Sequence, residues 1–307
     1  MDEIIKPSPG HIVVDIPAEK QDDKKDNKGK KAERKRPDIL WWCRRIIVGK
    51  NVEEEKESCK KHPHFEAIKR EFRRYVCEFI GTLFLILFVS GIQTVQAFST
   101  GLGTNDVTLI DKGVISGFLL AGMIYIFGTV SGAHFNPLVT VAFFLRGVMV
   151  WWRTITYVIV QLAGAIVGAA ILYGIFGNIG GLGTTVPIVS PGAALGVEIL
   201  ITFLLIMVVL STAEKSKILG PVSAIAVGAT FGSVELFAWN LTGASANPWR
   251  TFAPTIISGV GWRTIWVYFA GPIIGMIIAV IVQRIITTAR SQDKVQDSAE
   301  GKAKNTA

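Results

Sequence analysis

Two asparagine-proline pairs, Asn136-Pro137 and Asn247-Pro248, are the residues whose type and setting point most directly to a chemical task. The asparagine side-chain oxygen caps the first free N–H groups of a helix, and proline suits the first helical position because no N–H is needed there. The asparagine amide still has donors to offer. Two such helix starts facing each other would form an electropositive, donor-rich spot.

The segments that contain these pairs run from Ser131 to Gly147 and from Thr242 to Gly259. Each has a turn of small residues, then the pair, then about two to three helical turns. Such helices are too short to span a bilayer and too apolar to lie comfortably in water. We therefore expect two half-helices that meet at membrane depth beside a water-filled path.

The composition divides the 307-residue chain, which carries a formal net charge of +8, into a solvated part and a membrane part. Residues 1–74 contain 20 Lys/Arg and 15 Asp/Glu, whereas residues 75–290 contain 9 and 6. We predict a cytoplasmic, largely disordered extension over 1–72, a membrane domain over 73–288 and a cytoplasmic tail over 289–307. The N-terminus has no pattern of a cleavable signal peptide.

Six segments are long and apolar enough to cross a membrane. They span residues 75–97, 113–130, 152–175, 193–211, 219–239 and 262–286. The fold class is therefore an all-α membrane protein with six transmembrane helices and two re-entrant half-helices. Basic residues concentrate in the joints that face the same side as the N-terminus, which predicts that both termini are cytoplasmic: Arg146, Arg153, Lys215, Lys217, Arg284, Arg290 and Lys294.

An internal repeat relates the two halves of the membrane domain, 73–175 and 191–288. The segment EFIGTLFLILF at 78–88 resembles VEILITFLLIMVV at 197–209, and a half-helix follows in each half. Because each half has three crossings, the second copy must be inverted relative to the first. We expect the half-helix at Asn136 to enter from the cytoplasm and the one at Asn247 from outside.

Glu78 and Glu198 occupy matching places early in the first helix of each half. A carboxylate at that depth is costly unless it is partnered, and the non-helical backbone before each asparagine has free N–H groups. We expect both glutamates, together with His134, to brace the re-entrant loops; a proton relay is the alternative.

No cofactor or metal site is predicted. The three cysteines, Cys43, Cys59 and Cys77, do not indicate a disulfide framework. Cys59 with His62 and His64 lacks a fourth ligand and a recognised metal-site spacing. No set of nucleophile, base and orienting group can be assembled on this topology, so an enzyme is not expected, and neither is a nucleic-acid partner.

The two Asn-Pro pairs in inverted halves, the segment SGAHFNP and an arginine three residues after the second asparagine resemble the major intrinsic protein family, the aquaporins and glycerol facilitators. The resemblance covers about 73–288. It implies a bundle of six tilted helices and two half-helices in the lipid bilayer, assembled as a homotetramer with one pore per subunit. Water or small neutral solutes would cross passively.

The resemblance also implies roles for individual residues. Asn136 and Asn247 would donate to the oxygen of a passing solute, and Arg250 would form part of an outer selectivity filter. The other filter positions fall 20 residues before the first asparagine and 12 and 3 before the second. In this chain they are Ser116, Glu235 and Ala244.

Departures from the family pattern leave the subfamily open. Leu138 and Trp249 replace the usual alanine after each Asn-Pro pair, so the bore there is expected to be pinched or displaced. The filter lacks the bulky aromatic residue and the histidine of strict water channels. We expect the Glu235 carboxylate to reach the Arg250 guanidinium and cancel part of its field, while Ser116 and Ala244 leave room, so that the filter would be wider, more polar and less repellent to cations. The alternative is that Glu235 points away from the pore and pairs with a backbone donor.

The leading prediction is a passive channel for water or small uncharged solutes that excludes protons at the paired half-helix N-termini. The alternatives are a wider-filter channel for solutes such as glycerol, urea or peroxide, a non-conducting structural tetramer, and a secondary transporter. A transporter would need a group that changes its charge during the transport cycle. It is disfavoured because Glu235 is the one extra intramembrane acid and has an arginine nearby. The protein is expected in the plasma membrane or an endomembrane.

Overall fold

The computed structural model describes residues 63–104, 107–214 and 222–305 of the chain, with side chains described for 64–104, 107–213 and 222–287. These ranges lie within one compact unit, Ser58–Ala307. The predictions made for most of the N-terminal extension, and those for Cys43, Cys59 and His62, lie outside the described residues.

The described residues form eight α-helices and two short 3-10 turns, at Gly180–Gly183 and Trp262–Thr264. The α-helices are α1 (Pro63–Gly101), α2 (Leu109–Ser131), α3 (Pro137–Leu145), α4 (Trp151–Phe176), α5 (Pro191–Glu214), α6 (Val222–Thr242), α7 (Pro248–Ser258) and α8 (Val267–Asn305).

Six of the described helices, α1, α2, α4, α5, α6 and α8, are long and apolar enough to span a membrane. The predicted fold class is confirmed. Most helix ends lie within a few residues of the prediction, but α8 ends at Asn305 rather than near residue 286, and α1 begins at Pro63 rather than near residue 75. Its first turns are charged, so hydropathy alone cannot mark that start.

The two half-helices α3 and α7 contain 9 and 11 residues. At about 1.5 Å per residue each covers roughly half of a bilayer. The helix order places the starts of α1, α4 and α6 on one side of the domain, which we call the N-terminal face, together with the end of α3. The opposite face has the starts of α2, α5 and α8 and the end of α7.

Glycine lets the helices of each half pack backbone against backbone. A Cβ placed on Gly164 of α4 would lie 2.3 Å from the carbonyl oxygen of Phe79 on α1. In the second half, a Cβ on Gly275 of α8 would lie 2.4 Å from the carbonyl oxygen of Ile199 on α5. Each glycine belongs to a Gly-x3-Gly pair, Gly164 with Gly168 and Gly271 with Gly275, a spacing that lets two helices approach closely.

The two halves meet where α2 crosses α6, again through glycine. A Cβ on Gly117 would lie 2.9 Å from the carbonyl oxygen of Gly228, and one on Gly228 would lie 2.5 Å from that of Gly117. Apolar side chains from α1, α2, α5 and α6 form the core beside this crossing: Leu85, Val89, Leu120, Met123, Ile201, Leu205, Val227, Phe231 and Val234. The half-helix starts lie against this core.

Candidate functional site

Each asparagine of the two Asn-Pro pairs caps its own half-helix. The Oδ1 atom of Asn136 accepts a hydrogen bond from the Leu138 N–H at 2.9 Å, and Oδ1 of Asn247 accepts from the Trp249 N–H at 3.0 Å. Both asparagines have extended backbone, and a proline, Pro137 or Pro248, opens each helix. The local sequence therefore accounts for both helix starts.

The same two asparagines also bind the opposite loop. Nδ2 of Asn136 donates to the carbonyl oxygen of Ala246 at 2.9 Å, and Nδ2 of Asn247 donates to that of Phe135 at 3.0 Å. Each amide nitrogen has two hydrogens, so one donor of each remains after this exchange. The exchange holds the N-termini of α3 and α7 together at one point inside the domain.

The loops that precede the half-helices have matching strained backbones. Ala133 and Phe135 in the first loop, and Ala244 and Ala246 in the second, have φ angles between 46° and 52°. Such left-handed conformations in residues other than glycine cost about 1–3 kcal/mol each and persist where the surroundings impose them. The Phe135 ring fits here because Gly81 has no side chain: a Cβ there would lie 1.9 Å from Phe135 Cε1.

Glu78 supplies acceptors for the first loop. Its Oε1 accepts from the His134 N–H at 3.0 Å, and its Oε2 accepts from the Phe135 N–H at 2.8 Å. The side chain of Gln161 on α4 donates to Oε2 as well, at 2.8 Å. The buried carboxylate therefore has three donors, which offsets the cost of placing it at this depth.

Glu198 does the same for the second loop. Its Oε1 accepts from the Ser245 N–H at 3.0 Å and from Thr242 Oγ1 at 2.7 Å, while Oε2 accepts from the Ala246 N–H at 2.9 Å. The pattern repeats that of Glu78, with a hydroxyl in place of the glutamine amide. Both loops are therefore fixed by a carboxylate from the first helix of the same half.

His134 lies in a polar and aromatic cluster that sequence reasoning missed. Its Nδ1 is 3.0 Å from the hydroxyl of Thr140, which also accepts from Gln161 at 3.0 Å. Its ring stacks on Phe143 at 4.8 Å and meets the edge of Tyr157 at 5.4 Å. Since α4 is apolar over most of its surface, nothing in its pattern singled out its buried polar positions.

A cavity of about 790 Å³ runs from the N-terminal face past the two asparagines to Arg250. Its lining combines apolar side chains from α1, α2, α5 and α6 with a set of polar ones: Arg74, Arg153, His134, Asn136, Ser245, Asn247 and Arg250. The structure thus brings the predicted asparagines and the predicted filter arginine to one continuous space.

Leu138 and Trp249 do not line this cavity. Leu138 packs in a cluster with Ile206 and Leu210 of α5 and with residues of α8. The indole N–H of Trp249 donates to the carbonyl oxygen of Val158 on α4 at 3.1 Å. Helix packing therefore accommodates both departures from alanine.

Charged residues at the N-terminal face form a compact group at the mouth of the cavity. Arg153 makes a two-pronged contact with Glu71, at 2.8 Å and 2.7 Å, and Arg74 contacts the same carboxylate. Bidentate arginine–carboxylate pairs are geometrically specific, so this group joins the starts of α1 and α4.

The filter arginine is buried and only partly bound. Arg250 is 1% exposed, and its Nη1 donates to the carbonyl oxygen of Gly183 at 2.8 Å. Its Nε and Nη2 atoms have no partner among the described residues. The Gly183 carbonyl belongs to a glycine-rich loop in which Gly181 and Leu182 also have left-handed φ angles.

The predicted contact between Glu235 and Arg250 is wrong. Glu235 is fully buried on α6, but within the described chain neither of its carboxylate oxygens has a hydrogen-bond partner. The guanidinium is bound instead to the Gly183 carbonyl and lies over the ring of Trp239, 5.8 Å from its centroid. A backbone carbonyl of the glycine-rich loop therefore accepts the hydrogen bond that the sequence analysis expected the Glu235 carboxylate to accept.

The other filter positions are also buried. Ser116 is 0% exposed with a hydroxyl that has no partner in the described chain, and Ala244 is 1% exposed. Sequence reasoning missed two residues beside them, Lys112 and Trp239. Lys112 donates to Gln96 and lies 4.3 Å from the Trp239 ring centroid. The presence of a lysine in the first turn of an otherwise apolar helix could have indicated this cluster.

The family model of the major intrinsic proteins matches residues 66–283. The chain is 36% identical over 230 residues to a probable NIP-type aquaporin of Nicotiana alata, covering 72% of this chain and 79% of that protein. It is 38% identical over 226 residues to the lens fiber major intrinsic protein of Lithobates pipiens, covering 71% and 82%.

A solved structure, the aquaglyceroporin from Plasmodium falciparum, aligns with a TM-score of 0.58 at 21% identity, covering 68% of this chain and 94% of that one. This likeness supports the fold alone.

Among the described residues, no group of three or more His, Cys, Asp or Glu is placed to hold a metal ion.

The family model spans nearly all of the membrane-crossing part of the chain, and the two relatives match the chain over 72% and 71% of its length. Proteins of this family are channels and not enzymes. The chain therefore belongs to the major intrinsic protein family and is a passive membrane channel for water, small solutes or both.

Proposed function

We propose that the pore passes water and small uncharged polar solutes in single file and excludes protons and cations where the two asparagines meet. The observation that carries this proposal is the exchange of hydrogen bonds between Asn136 and Ala246 and between Asn247 and Phe135. It fixes two helix N-termini beside one cavity, and each asparagine keeps one amide hydrogen for a solute oxygen.

The exclusion of protons follows from this geometry. A water molecule whose oxygen accepts from both amides points its hydrogens away along the pore, which interrupts a chain of proton-conducting hydrogen bonds. The positive ends of the α3 and α7 dipoles meet at the same point and repel cations. Both effects therefore oppose the passage of protons at the point where the two asparagines meet.

The orientation and assembly belong to the same proposal. Basic residues such as Arg146 and Arg153 at the N-terminal face support a cytoplasmic location for that face and for both termini. Large apolar side chains on the outer surface, including Phe118 at 75% exposure and Ile126 at 66%, suit contact with lipid or with other subunits of a homotetramer. A plasma membrane or an endomembrane would hold the protein.

Stopped-flow swelling of proteoliposomes in water, glycerol and urea gradients tests the conduction. Fast flux that neither saturates nor needs a second gradient is the expected result. Accumulation coupled to an ion gradient would indicate a secondary transporter, and absence of flux would indicate a structural tetramer.

Asn247→Asp tests the exclusion of protons and cations. The change removes two donors and adds a negative charge where the helix dipoles make the field positive. We expect water flux to persist while an entrapped pH-sensitive dye reports a proton leak that the parent lacks. Asn240→Asp is the matched control, since it makes the same chemical change at an exposed position of α6. An Asn247→Asp variant as proton-tight as the parent would contradict the proposal.

A further inference from the structure

The mouth of the cavity at the N-terminal face carries positive charge on its wall. Arg74 and Arg153 line the cavity there, whereas Glu71, which binds both of them, does not. Because one carboxylate faces two guanidinium groups, the three side chains together keep one net positive charge. Among the described residues that line the cavity there is no Asp or Glu. The wall of the mouth therefore attracts an anion and presents no carboxylate to it.

The two guanidinium groups are held in place and still have donors to offer. Arg153 binds Glu71 through Nε and Nη2, at 2.8 Å and 2.7 Å, and its guanidinium carbon lies 5.1 Å from the centroid of the Trp152 ring. Arg74 uses Nη1 for Glu71 and Nε for the carbonyl oxygen of Val130. Since a guanidinium has five N–H donors, each arginine keeps N–H groups for a ligand. Groups already fixed in this way lose little entropy on binding.

The start of α6 adds a second attractive feature to the same mouth. Ser223 and Ala224, in the first turn of this 21-residue helix, also line the cavity. The N–H groups of a first turn have no partner within their own helix, and the helix dipole places partial positive charge there. The Ser223 hydroxyl has no hydrogen-bond partner among the described residues. The helix start and the two arginines therefore suit the same chemistry, that of an anionic group.

We propose that this mouth binds small monoanions with an apolar body, such as aromatic or short aliphatic carboxylates and sulfonates, and that the bound anion obstructs the pore. The single net charge of the arginine group matches one anionic group. Phe143, Val148 and Met149 also line the cavity, in and just after α3, and can pack against the apolar body. The inference rests on the proposed function, because obstruction requires a conducting pore.

The anion is expected to stay at the mouth because apolar side chains line the cavity further in. Val139 follows Asn136 by three residues on α3, which ends at the N-terminal face, and Val227 follows Ser223 by four residues on α6. Both valines therefore lie between the mouth and the asparagines. An ion that moves past them loses hydration without a compensating partner, whereas a neutral water molecule does not carry that cost.

The test uses benzenesulfonate, which stays anionic near neutral pH, and methyl phenyl sulfone, an uncharged molecule of similar shape. Water flux is measured in phosphatidylcholine proteoliposomes, which contain no anionic lipid that could compete, with the probe on both sides of the membrane. In the parent, saturating benzenesulfonate should remove most of the flux, and the sulfone at the same concentration should not.

Arg153→Gln removes one guanidinium and should raise the half-inhibiting concentration of benzenesulfonate about tenfold, relative to the variant's own uninhibited flux. Arg263→Gln is the matched control, because Arg263 is an exposed arginine at the opposite face, and its half-inhibiting concentration should equal that of the parent. Equal values in the two variants would overturn the site, and so would equal inhibition by the sulfone. If Arg153→Gln does not fold, Arg74→Gln should show the same rise, and an unchanged value there contradicts the site.

A binding measurement separates this site from the proposed function. Absence of water flux in the parent would overturn the proposed function, but a ligand that binds the folded protein still raises its melting temperature in detergent. Benzenesulfonate should raise the melting temperature of the parent and of Arg263→Gln more than that of Arg153→Gln. The same shift in all three proteins, or no shift in the parent, would overturn the anion site.

Discussion

The centre of the pore and its outer filter differ in how completely the protein satisfies its own polar groups. At the centre, the carboxylates of Glu78 and Glu198 accept three hydrogen bonds each, and both asparagines donate across the interface between the halves. At the filter, Glu235 accepts none from the described chain and Arg250 makes one hydrogen bond. Arg250 lines the same cavity as the two asparagines, so groups that are fully hydrogen-bonded and groups that are not border one space.

Rigidity and selectivity are therefore provided by separate groups of residues. The central hydrogen bonds hold strained loops in place, so changing them should affect mainly stability. The unpartnered filter atoms contribute little to folding, so changing them should affect mainly what passes. Substitutions at the two regions can therefore test the distinction directly.

The largest effect is expected from Glu198→Ala at the centre. The change leaves the N–H groups of Ser245 and Ala246 without an acceptor in a buried loop whose backbone is already strained. Each unsatisfied group costs about 1–3 kcal/mol, so the free energy of unfolding should fall by about 4 kcal/mol. Thermal unfolding of the purified protein in detergent measures the change.

Leu200→Ala is the control for Glu198→Ala, because Leu200 lies on the same helix and is 62% exposed on its surface. Glu198→Gln should fall between the two, since it keeps one acceptor oxygen. A melting temperature for Glu198→Ala equal to that of Leu200→Ala would show that the carboxylate does not hold the loop.

Arg250→Leu at the filter should have a smaller effect on stability and a larger one on selectivity. Loss of the bond to the Gly183 carbonyl should cost about 1–2 kcal/mol. The remaining Glu235 carboxylate no longer faces the arginine charge, so a cation conductance should appear that planar-bilayer recordings can detect.

Arg263→Leu is the matched control, because Arg263 is an exposed arginine shortly before the start of α8. Arg263→Leu should change neither the melting temperature nor the ion selectivity. If Arg250→Leu remains as impermeable to cations as Arg263→Leu, the filter arginine is not the cation barrier and the distinction between the two regions fails.

The smallest effect is expected from deleting the N-terminal extension up to the start of α1 at Pro63. That segment carries dense mixed charge and has no apolar periodicity that would dock it in the pore. Water flux per channel should stay within about twofold of the parent, which corresponds to less than about 0.5 kcal/mol. Loss of flux at normal membrane abundance would reveal a gating role.

The sequence was informative wherever the deciding interaction is local or follows from the repeat. The caps at Asn136 and Asn247 act on a backbone N–H two residues away, so a short segment determines them. The position of Glu78 in one half and Glu198 in the other followed from comparing the halves. The six crossings followed from hydropathy, which varies over about 20 residues.

The filter could not be derived in the same way. The hydrogen-bond partner of Arg250 is the carbonyl of Gly183. That carbonyl belongs to a loop with left-handed backbone conformations, which the pattern of side chains does not predict. Glu235 was paired with Arg250 because both lie at filter positions, which were found by their sequence distance from the asparagines. Sequence distance alone does not tell which group binds the guanidinium. Gln161 and Thr140 were missed because apolar residues surround them in sequence.

The hydrogen bonds exchanged by the two asparagines also constrain the order in which the protein is made. Asn136 binds a residue 110 positions later, and Phe135 accepts from a residue 112 positions later. A ribosome adds about 5–20 residues per second, so the first loop exists for several seconds before its partner is synthesised. During that interval the Asn136 amide and the Phe135 carbonyl cannot yet form these two bonds, which makes completion of the pore a late event in biogenesis.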